Sequence, residues 1–326
     1  MTLAAARDLG PLREGLERWL GRPVGTLRRA APGFSCETLV ADDEVVIRLP
    51  PQGEGIFPVY DLAQQAAVQN AVAQAGVPVA APARHEPDPS YLGAAFVAMP
   101  FAPGPIPSDF TAGDPWLIGL PDDGARAEVW GSFLDLLPAI HRVDGTELGL
   151  RSGLGEELVW WERYLGWATD GTPPPELAEA LAWCAEHRPA EEPPAGLLWG
   201  DVRLGNVVFD PDRCTPRAVL DWDMATLGPA EMDLAWFLAL EAVQADLSGT
   251  KVPGFGGRDE TAARVEGDLG RALADLDWYE IFALVRASAV STRIALLFER
   301  AGQRSMFAPG QDPTLAAAVA RIRRGR

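Results

Sequence analysis

Three residues have the types and spacing for phosphoryl transfer: Asp201, Asn206 five positions on, and Asp221 twenty positions after the first. They lie in residues 196–223, which read G-L-L-W-G-D-V-R-L-G-N-V-V-F-D-P-D-R-C-T-P-R-A-V-L-D-W-D. An apolar run (Val207, Val208, Phe209) follows the Asn, and a second (Ala218, Val219, Leu220) leads into Asp221. The pattern is a loop, a short strand, a turn, and a strand delivering a carboxylate. In a kinase-like site the Asp of D-x-x-x-x-N orients and deprotonates the attacking hydroxyl, while the Asn and a separate Asp hold magnesium. Hard oxygen ligands beside substrate phosphates suit Mg²⁺. Asp and Asn also serve as plain turn residues; the two strand patterns and the second Asp favour the chemical reading.

At this point the segment resembles the aminoglycoside phosphotransferase family, whose fold is similar to protein kinases. The family's H-G-D-x-x-x-x-N stands here as Trp199-Gly200-Asp201 to Asn206, and its I/L-D-W/F-E/D as Leu220-Asp221-Trp222-Asp223. Met224 to Gly228 and Asp233-Leu234-Ala235-Trp236 continue the likeness. With Arg203-Leu204-Gly205-Asn206, it is closest to the branch of phosphotransferase domains linked to acyl-CoA dehydrogenases. The resemblance covers most of the chain, strongly over residues 196–240. It implies an α+β, protein-kinase-like two-lobed fold. A small antiparallel-sheet lobe with one helix would occupy residues 1–102, with a hinge at about 99–104. A larger, mainly helical lobe, residues 103–326, would carry the catalytic loop and the acceptor site. ATP or GTP and Mg²⁺ are the implied cofactors, with Asp201 as base and Asn206 and Asp221 as metal ligands. Trp199 departs from the family's His and puts the loop geometry in question.

The same resemblance places the nucleotide-side residues. Arg48 stands where kinases carry a phosphate-pairing Lys; the chain's one lysine is Lys251. A guanidinium can bind phosphate oxygens bidentately. The helical Glu that would brace such a cation falls on Gln65, with Asp61 as a substitute. Residues 31–37 would be the phosphate-covering turn, with Ser35 reaching the phosphates. Met99, Pro100 and Ala102 would form the adenine hinge, the Pro100 carbonyl accepting and the Ala102 N–H donating. Arg203 could touch the transferring phosphoryl or pair with a nearby carboxylate. Asp223 could join the metal or substrate site or be a solvated turn residue. Asp233 reads first as an N-cap, and in the resemblance it also braces the catalytic loop. His141 reads as structural.

The elements that must position these residues follow from periodicity and breakers. Residues 9–20 read as a helix, and 24–28, 37–41 and 45–49 as strands, with Asp42-Asp43 as a hairpin turn. Residues 59–75 read as a helix, and 83–86 and 94–99 as strands. Helices are expected over 126–143, 156–167, 177–186, 232–245 and 276–300; Pro138 should kink or split the first. Residues 249–259 read as a Gly-rich loop. Parts of 156–167 and 276–300 would wall the acceptor.

The 326 residues, 48% hydrophobic, suit a two-lobed enzyme. A net charge of −18 speaks against nucleic acid; it fits a cationic aminosugar, or a solubility bias. Three cysteines without C-x-x-C spacing give no disulfide framework. Residues 1–10 do not read as a signal peptide, and no stretch reads as a membrane span. The expectation is a cytoplasmic monomer or homodimer acting on a small hydroxylated acceptor, aminoglycoside-like or hydroxyacyl-CoA-like, without nucleic acid or membrane partners. Trp199, Gln65 and the missing lysine motivate the alternative, an impaired, pseudokinase-like nucleotide-binding regulator.

Overall fold

Alternation along the early strands decides which way the small sheet faces. The structure, a computed structural model, describes residues 6–30 and 34–325. Helix α1 (Leu9–Leu20) leads into strands β1 (Leu27–Arg29), β2 (Glu37–Ala41) and β3 (Val45–Leu49). Helix α2 (Leu62–Gln74) and strands β4 (Arg84–Glu86) and β5 (Phe96–Pro100) follow. The strands pair antiparallel in the order β1-β2-β3-β5-β4. Successive side chains of a strand leave by opposite faces. Leu39, Ala41, Ile47, Leu49, Phe96 and Ala98 therefore meet Leu12 and Leu16 of α1. Val46, Val97 and Met99 pack on the other face with Leu62 and Ala66 of α2. Arg48 shares the parity of Val46, so it leaves the sheet on this second face. Asp42 and Asp43 both take positive φ (55° and 52°) in the three-residue connection 42–44, which lets the chain reverse tightly between β2 and β3.

Beyond β5 the chain is mainly helical. Helices α3 (Pro115–Gly119), α4 (Asp123–Leu134), α5 (Leu136–His141), α6 (Gly153–Ala168) and α7 (Pro175–Glu186) come first. Strands β6 (Ala195–Leu198), β7 (Val207–Phe209), β8 (Pro216–Val219) and β9 (Thr226–Pro229) follow as two antiparallel pairs, β6 with β9 and β7 with β8. Helices α8 (Glu231–Ser248), α9 (Arg258–Leu269), α10 (Leu276–Arg300) and α11 (Pro313–Arg324) close the chain. The expected 126–143 helix is split at Asp135, and Pro138 falls in the first turn of α5, where a missing N–H costs no intrahelical bond. The expected first strand begins later, at Leu27, and α3, α9 and α11 were not read from the sequence.

Helix α10 is long and apolar enough to span a membrane, but 78% of its apolar window is buried inside the protein. It packs on α8, α7, α6 and α11 and is the central helix of the large core. Its arginines and α6 tie down residues 54–56. Arg293 Nε donates to the Gly55 carbonyl at 3.0 Å, and Tyr164 Oη of α6 to that of Ile56 at 2.8 Å.

Candidate active site

The β6–β9 and β7–β8 pairs fix both ends of the loop that holds Asp201. Gly200 takes φ +89°, and a Cβ there would stand 2.2 Å from the Met224 carbonyl oxygen, so the loop turns where a side chain has no room. Asp201 then accepts three hydrogen bonds. Oδ2 takes Arg203 Nε at 2.9 Å and Asn206 Nδ2 at 2.7 Å, and Oδ1 takes Trp236 Nε1 of α8 at 3.1 Å. Burial pushes its carboxyl above the usual carboxylate range, with Arg203 pulling the other way. Asn206 also donates to the Asp201 carbonyl at 3.0 Å, and its own carbonyl accepts from Leu220 N at 2.8 Å. That last bond ties the catalytic loop to the strand that delivers Asp221.

Asp221 sits just past β8 with φ +60°, a conformation costly for a side-chain-bearing residue. Trp199 holds it there. The indole, fully buried, donates from Nε1 to the carbonyls of Leu220 (2.9 Å) and Asp221 (3.0 Å). A Trp where the resemblance calls for His therefore fastens the loop to the Asp221 segment. The loop's backbone is braced from below. Asp233 accepts Trp199 N and Gly200 N, both at 2.9 Å, and meets His141 Nε2 at 3.0 Å. The N-cap reading of Asp233 is corrected: α8 begins at Glu231, and the carboxylate reaches across to the loop rather than to its own helix.

On the small-lobe side Arg48 lies 3.2 Å from Asp223 and 3.5 Å from Asp221. Ser35 Oγ donates to Asp223. Asp223 is 4% exposed in its side chain, so it is not a solvated turn residue, and its Oδ1 is buried without a partner. Burial works against the charge on Asp221, but Arg48 and Arg203 outweigh it and hold the carboxyl below the usual range. Burial, then repulsion from Asp221, pushes Asp223 up. Arg48 is thus braced by carboxylates of the large lobe and not by α2. Gln65 is half-buried on α2 and carries no charge, and Asp61 caps that helix through Gln64 N at 2.9 Å.

The remaining expected residues divide. Met99 is buried and Ala102 partly so, in an apolar cluster with Val97, Val208, Ala218 and Leu220 that joins β5 to the β7–β8 pair. Pro100 is exposed, and Phe101 N donates to the Glu44 carbonyl at 2.8 Å. Of the proposed phosphate-covering turn, residues 31–33 lie outside the described residues; Phe34 meets Phe298 of α10 edge-on at 6.4 Å. Arg203 is committed to Asp201 and to Asp109, the ion-pair role rather than a free cation. Sequence reasoning missed Trp236 as a partner of Asp201, although Asp233 and Trp236 are three apart on one helix and both face the loop. It also missed His141 as a partner of Asp233, and Asp109 altogether, for which no motif gave a signal.

Comparisons with known proteins give the family and the fold. The model of a family described as "Phosphotransferase enzyme family" (APH) matches residues 26–264. The mouse acyl-CoA dehydrogenase family member 10 is 30% identical over 204 residues, 60% of this chain and 18% of that protein. The human family member 11 is 28% identical over 59% of this chain. The chain spans only 18% and 24% of the lengths of these two relatives. Among solved structures, one assigned as an aminoglycoside phosphotransferase from Ralstonia eutropha JMP134 superposes with a TM-score of 0.66 at 21% identity, covering 95% of this chain and 94% of its own. The two-lobed kinase-like fold, a small antiparallel sheet beside a helical lobe, is shared with it.

Proposed function

The chain belongs to the phosphotransferase enzyme family; from that premise we propose that it is a small-molecule kinase, and we propose the parts its residues play. It moves the terminal phosphoryl group of ATP or GTP to a hydroxyl of a small acceptor. Asp201 orients that hydroxyl and takes its proton. The observation that carries this is the threefold clamp on the Asp201 carboxylate by Arg203, Asn206 and Trp236. A buried carboxylate pushed up toward the working pH is a better base, and fixed donors on both oxygens leave it one orientation.

The donor set fits Mg²⁺. Asn206 commits its amide nitrogen to Asp201 and leaves Oδ1 for a metal. Asp221 stays ionised and its side chain is 27% exposed, and the orphaned Oδ1 of Asp223 lies two residues on. Among the described residues no group of three His, Cys, Asp or Glu forms a closed cage. Mg²⁺ needs none, since it takes one or two carboxylates and completes its shell with phosphates and water. When bound by Asn206 and Asp221, it would neutralise charge on the phosphates. Arg48 and Ser35 would hold the phosphates, Arg48 exchanging its carboxylates for phosphoryl oxygens. Met99, Pro100 and Ala102 would frame the base, and Gln65 would lie behind Arg48. Arg203 positions Asp201 and does not touch the phosphoryl.

The test is transfer of the γ-phosphate from ATP and from GTP, with and without Mg²⁺, to pooled hydroxylated metabolites, aminoglycosides and hydroxyacyl-CoAs. The expected result is Mg²⁺-dependent product in one pool, absent in Asp201→Asn. Product that survives Asp201→Asn unchanged would remove Asp201 as the base.

A further inference from the structure

Arg286 projects from α10 into a ring of aromatic side chains. Its guanidinium carbon lies 5.0 Å from the Trp236 ring, 5.1 Å from Phe282 and 5.8 Å from Trp161. The residue is 3% exposed. Its Nε is buried without a hydrogen-bond partner. Its terminal nitrogens make no hydrogen bond to any described residue either. Cation–π contacts offset part of the lost hydration, but a buried charge without a hydrogen-bonded counterion is costly. Burial accordingly pushes the Arg286 pKa down.

The carboxylates that face it are already engaged. Glu157 gives Oε1 to Arg151 Nε (2.8 Å) and Thr226 Oγ1 (3.1 Å), and Oε2 to Trp161 Nε1 (3.1 Å). Asp233 serves the loop amides and His141. Asp201 serves Arg203, Asn206 and Trp236. Trp236 joins the two centres: its Nε1 bonds the base, and its face lies against the guanidinium. A second cation, Arg151, stacks on Trp160 with its guanidinium carbon 4.4 Å from the ring centroid. The surroundings of the base on the α6 and α10 side are therefore aromatic, and Arg151 is paired with Glu157, which leaves Arg286 as the guanidinium there with no carboxylate bonded to it among the described residues.

We propose that Arg286 receives an anionic group of the acceptor, which makes the substrate a hydroxylated acid and not a polyamine sugar. This deepens, and rests on, the phosphotransferase reading. The guanidinium fork fits a carboxylate or a phosphate with two parallel bonds. Trp161 and Phe282 supply apolar walls for the carbon chain, and Trp236 fixes the span between anion and hydroxyl at about one indole. A polyamine would meet the Arg286 cation and no uncommitted carboxylate among those facing it.

The experiment uses the full chain with ATP and Mg²⁺ and matched acceptors. Glycerate, 3-hydroxybutyrate and phenyllactate are each compared with their uncharged amides, glycerol 3-phosphate with glycerol, and kanamycin serves as the polyamine. The expected result is at least a tenfold higher kcat/KM for one anionic class over its neutral partner. Arg286→Gln brings that ratio to about one, Arg286→Lys recovers part of it, and the free Arg286→Gln enzyme melts no lower than the parent. The carboxylate and phosphate arms tell which anion is read. A neutral or polyamine acceptor preferred by the parent enzyme, or a charge preference that survives in a folded Arg286→Gln, overturns the proposal and leaves the phosphotransferase reading standing. If Arg286→Gln does not fold, the parent's own acid-to-amide ratio decides. Nucleotide binding with no transfer to any compound removes the phosphotransferase reading and the proposal with it.

Discussion

On the small-lobe side of the catalytic loop Arg48 is already held, 3.2 Å from Asp223 and 3.5 Å from Asp221, whereas on the large-lobe side Arg286 stacks on three rings with no ion pair. Arg48 keeps 13% of its side chain exposed and Arg286 is 3% exposed, so neither is a free surface cation and the difference lies in their partners. Arg48 neutralises two carboxylates that would otherwise repel each other, and it can trade them for phosphate when a metal takes over those carboxylates. Arg286 neutralises nothing nearby that is not already served. The first arginine has a structural duty in the free enzyme; the second is dehydrated in advance of a partner.

The largest effect should come from the residue that stands between them. Asp201→Asn keeps the shape of the clamp but removes the base. Transfer should fall by about 10²–10⁴-fold, with nucleotide affinity, read by titration calorimetry, changed less than about threefold. A comparable loss of nucleotide affinity would mean that Asp201 serves the small-lobe side and that the division drawn above is misplaced.

Arg48→Met attacks that division directly. It leaves Asp221 and Asp223 facing each other in a buried site. Breaking a buried pair by removing one partner costs about 3–5 kcal/mol, so urea or thermal unfolding should show a loss of that order. Nucleotide KM should rise about 10–100-fold, the worth of a charge-assisted hydrogen bond to phosphate. The contrast is with Arg286→Gln, which should not lower the melting point. Equal losses in both variants would make Arg286 a structural residue too.

How much of this was legible in the sequence depends on chain distance. Asp201, Asn206 and Asp221 were legible because one loop and one hairpin carry all three. Arg48 was legible through the resemblance alone, which sets it where kinases carry a lysine; strand alternation then explains why it leaves the sheet on the face it does. Trp236, His141 and Asp109 were not: their partners lie 35, 92 and 94 residues away, and only the packing of α8 and α5 and the course of residues 105–113 bring them to the loop. Asp223 reads locally as a turn residue, because nothing in D-W-D says that β3 and residues 34–36 will bury it. Arg286 reads as one charge in an apolar helix, and its lack of a counterion is a property of three other elements. Helix α11 was missed although Leu315, Ala318 and Ile322 sit at helical spacing, all buried; its alanine-rich run has little contrast.

A smaller effect tests the fastening between loop and metal segment. Trp199→Phe keeps most of the buried ring but removes the donor to the Leu220 and Asp221 carbonyls. The loss should be about 1–3 kcal/mol of stability. Asp221 should relax from its left-handed backbone, seen as a rise in the Mg²⁺ concentration for half-maximal rate. Trp199→His, which restores a ring N–H, should recover more of the Mg²⁺ affinity than Trp199→Phe retains. If Phe and Trp enzymes need the same Mg²⁺, the indole only fills space.

The smallest effect supplies the control for Arg286, a buried charge with no ligand assigned to it. Glu241 of α8 lines a cavity of about 240 Å³ with Trp130, Leu238 and Phe255. Burial pushes its carboxyl up to about 7, and Thr111 Oγ1, at 3.5 Å, is too far to offset this. The unfolded Glu loses its proton near pH 4.3, while the folded one keeps it until about 7. Across that window the unfolded state binds fewer protons, so stability falls as pH rises from roughly 4.5 to 7 and then levels. Glu241→Gln lacks this slope. It should match the parent at pH 5 and exceed it by about 1–3 kcal/mol at pH 8, read by urea unfolding at both values. Adding a hydroxy acid should leave that difference unchanged and should raise the parent's melting point only where Arg286 is present. If the acid instead protects through Glu241, the isolated charge that awaits the acceptor is on α8 and not on α10.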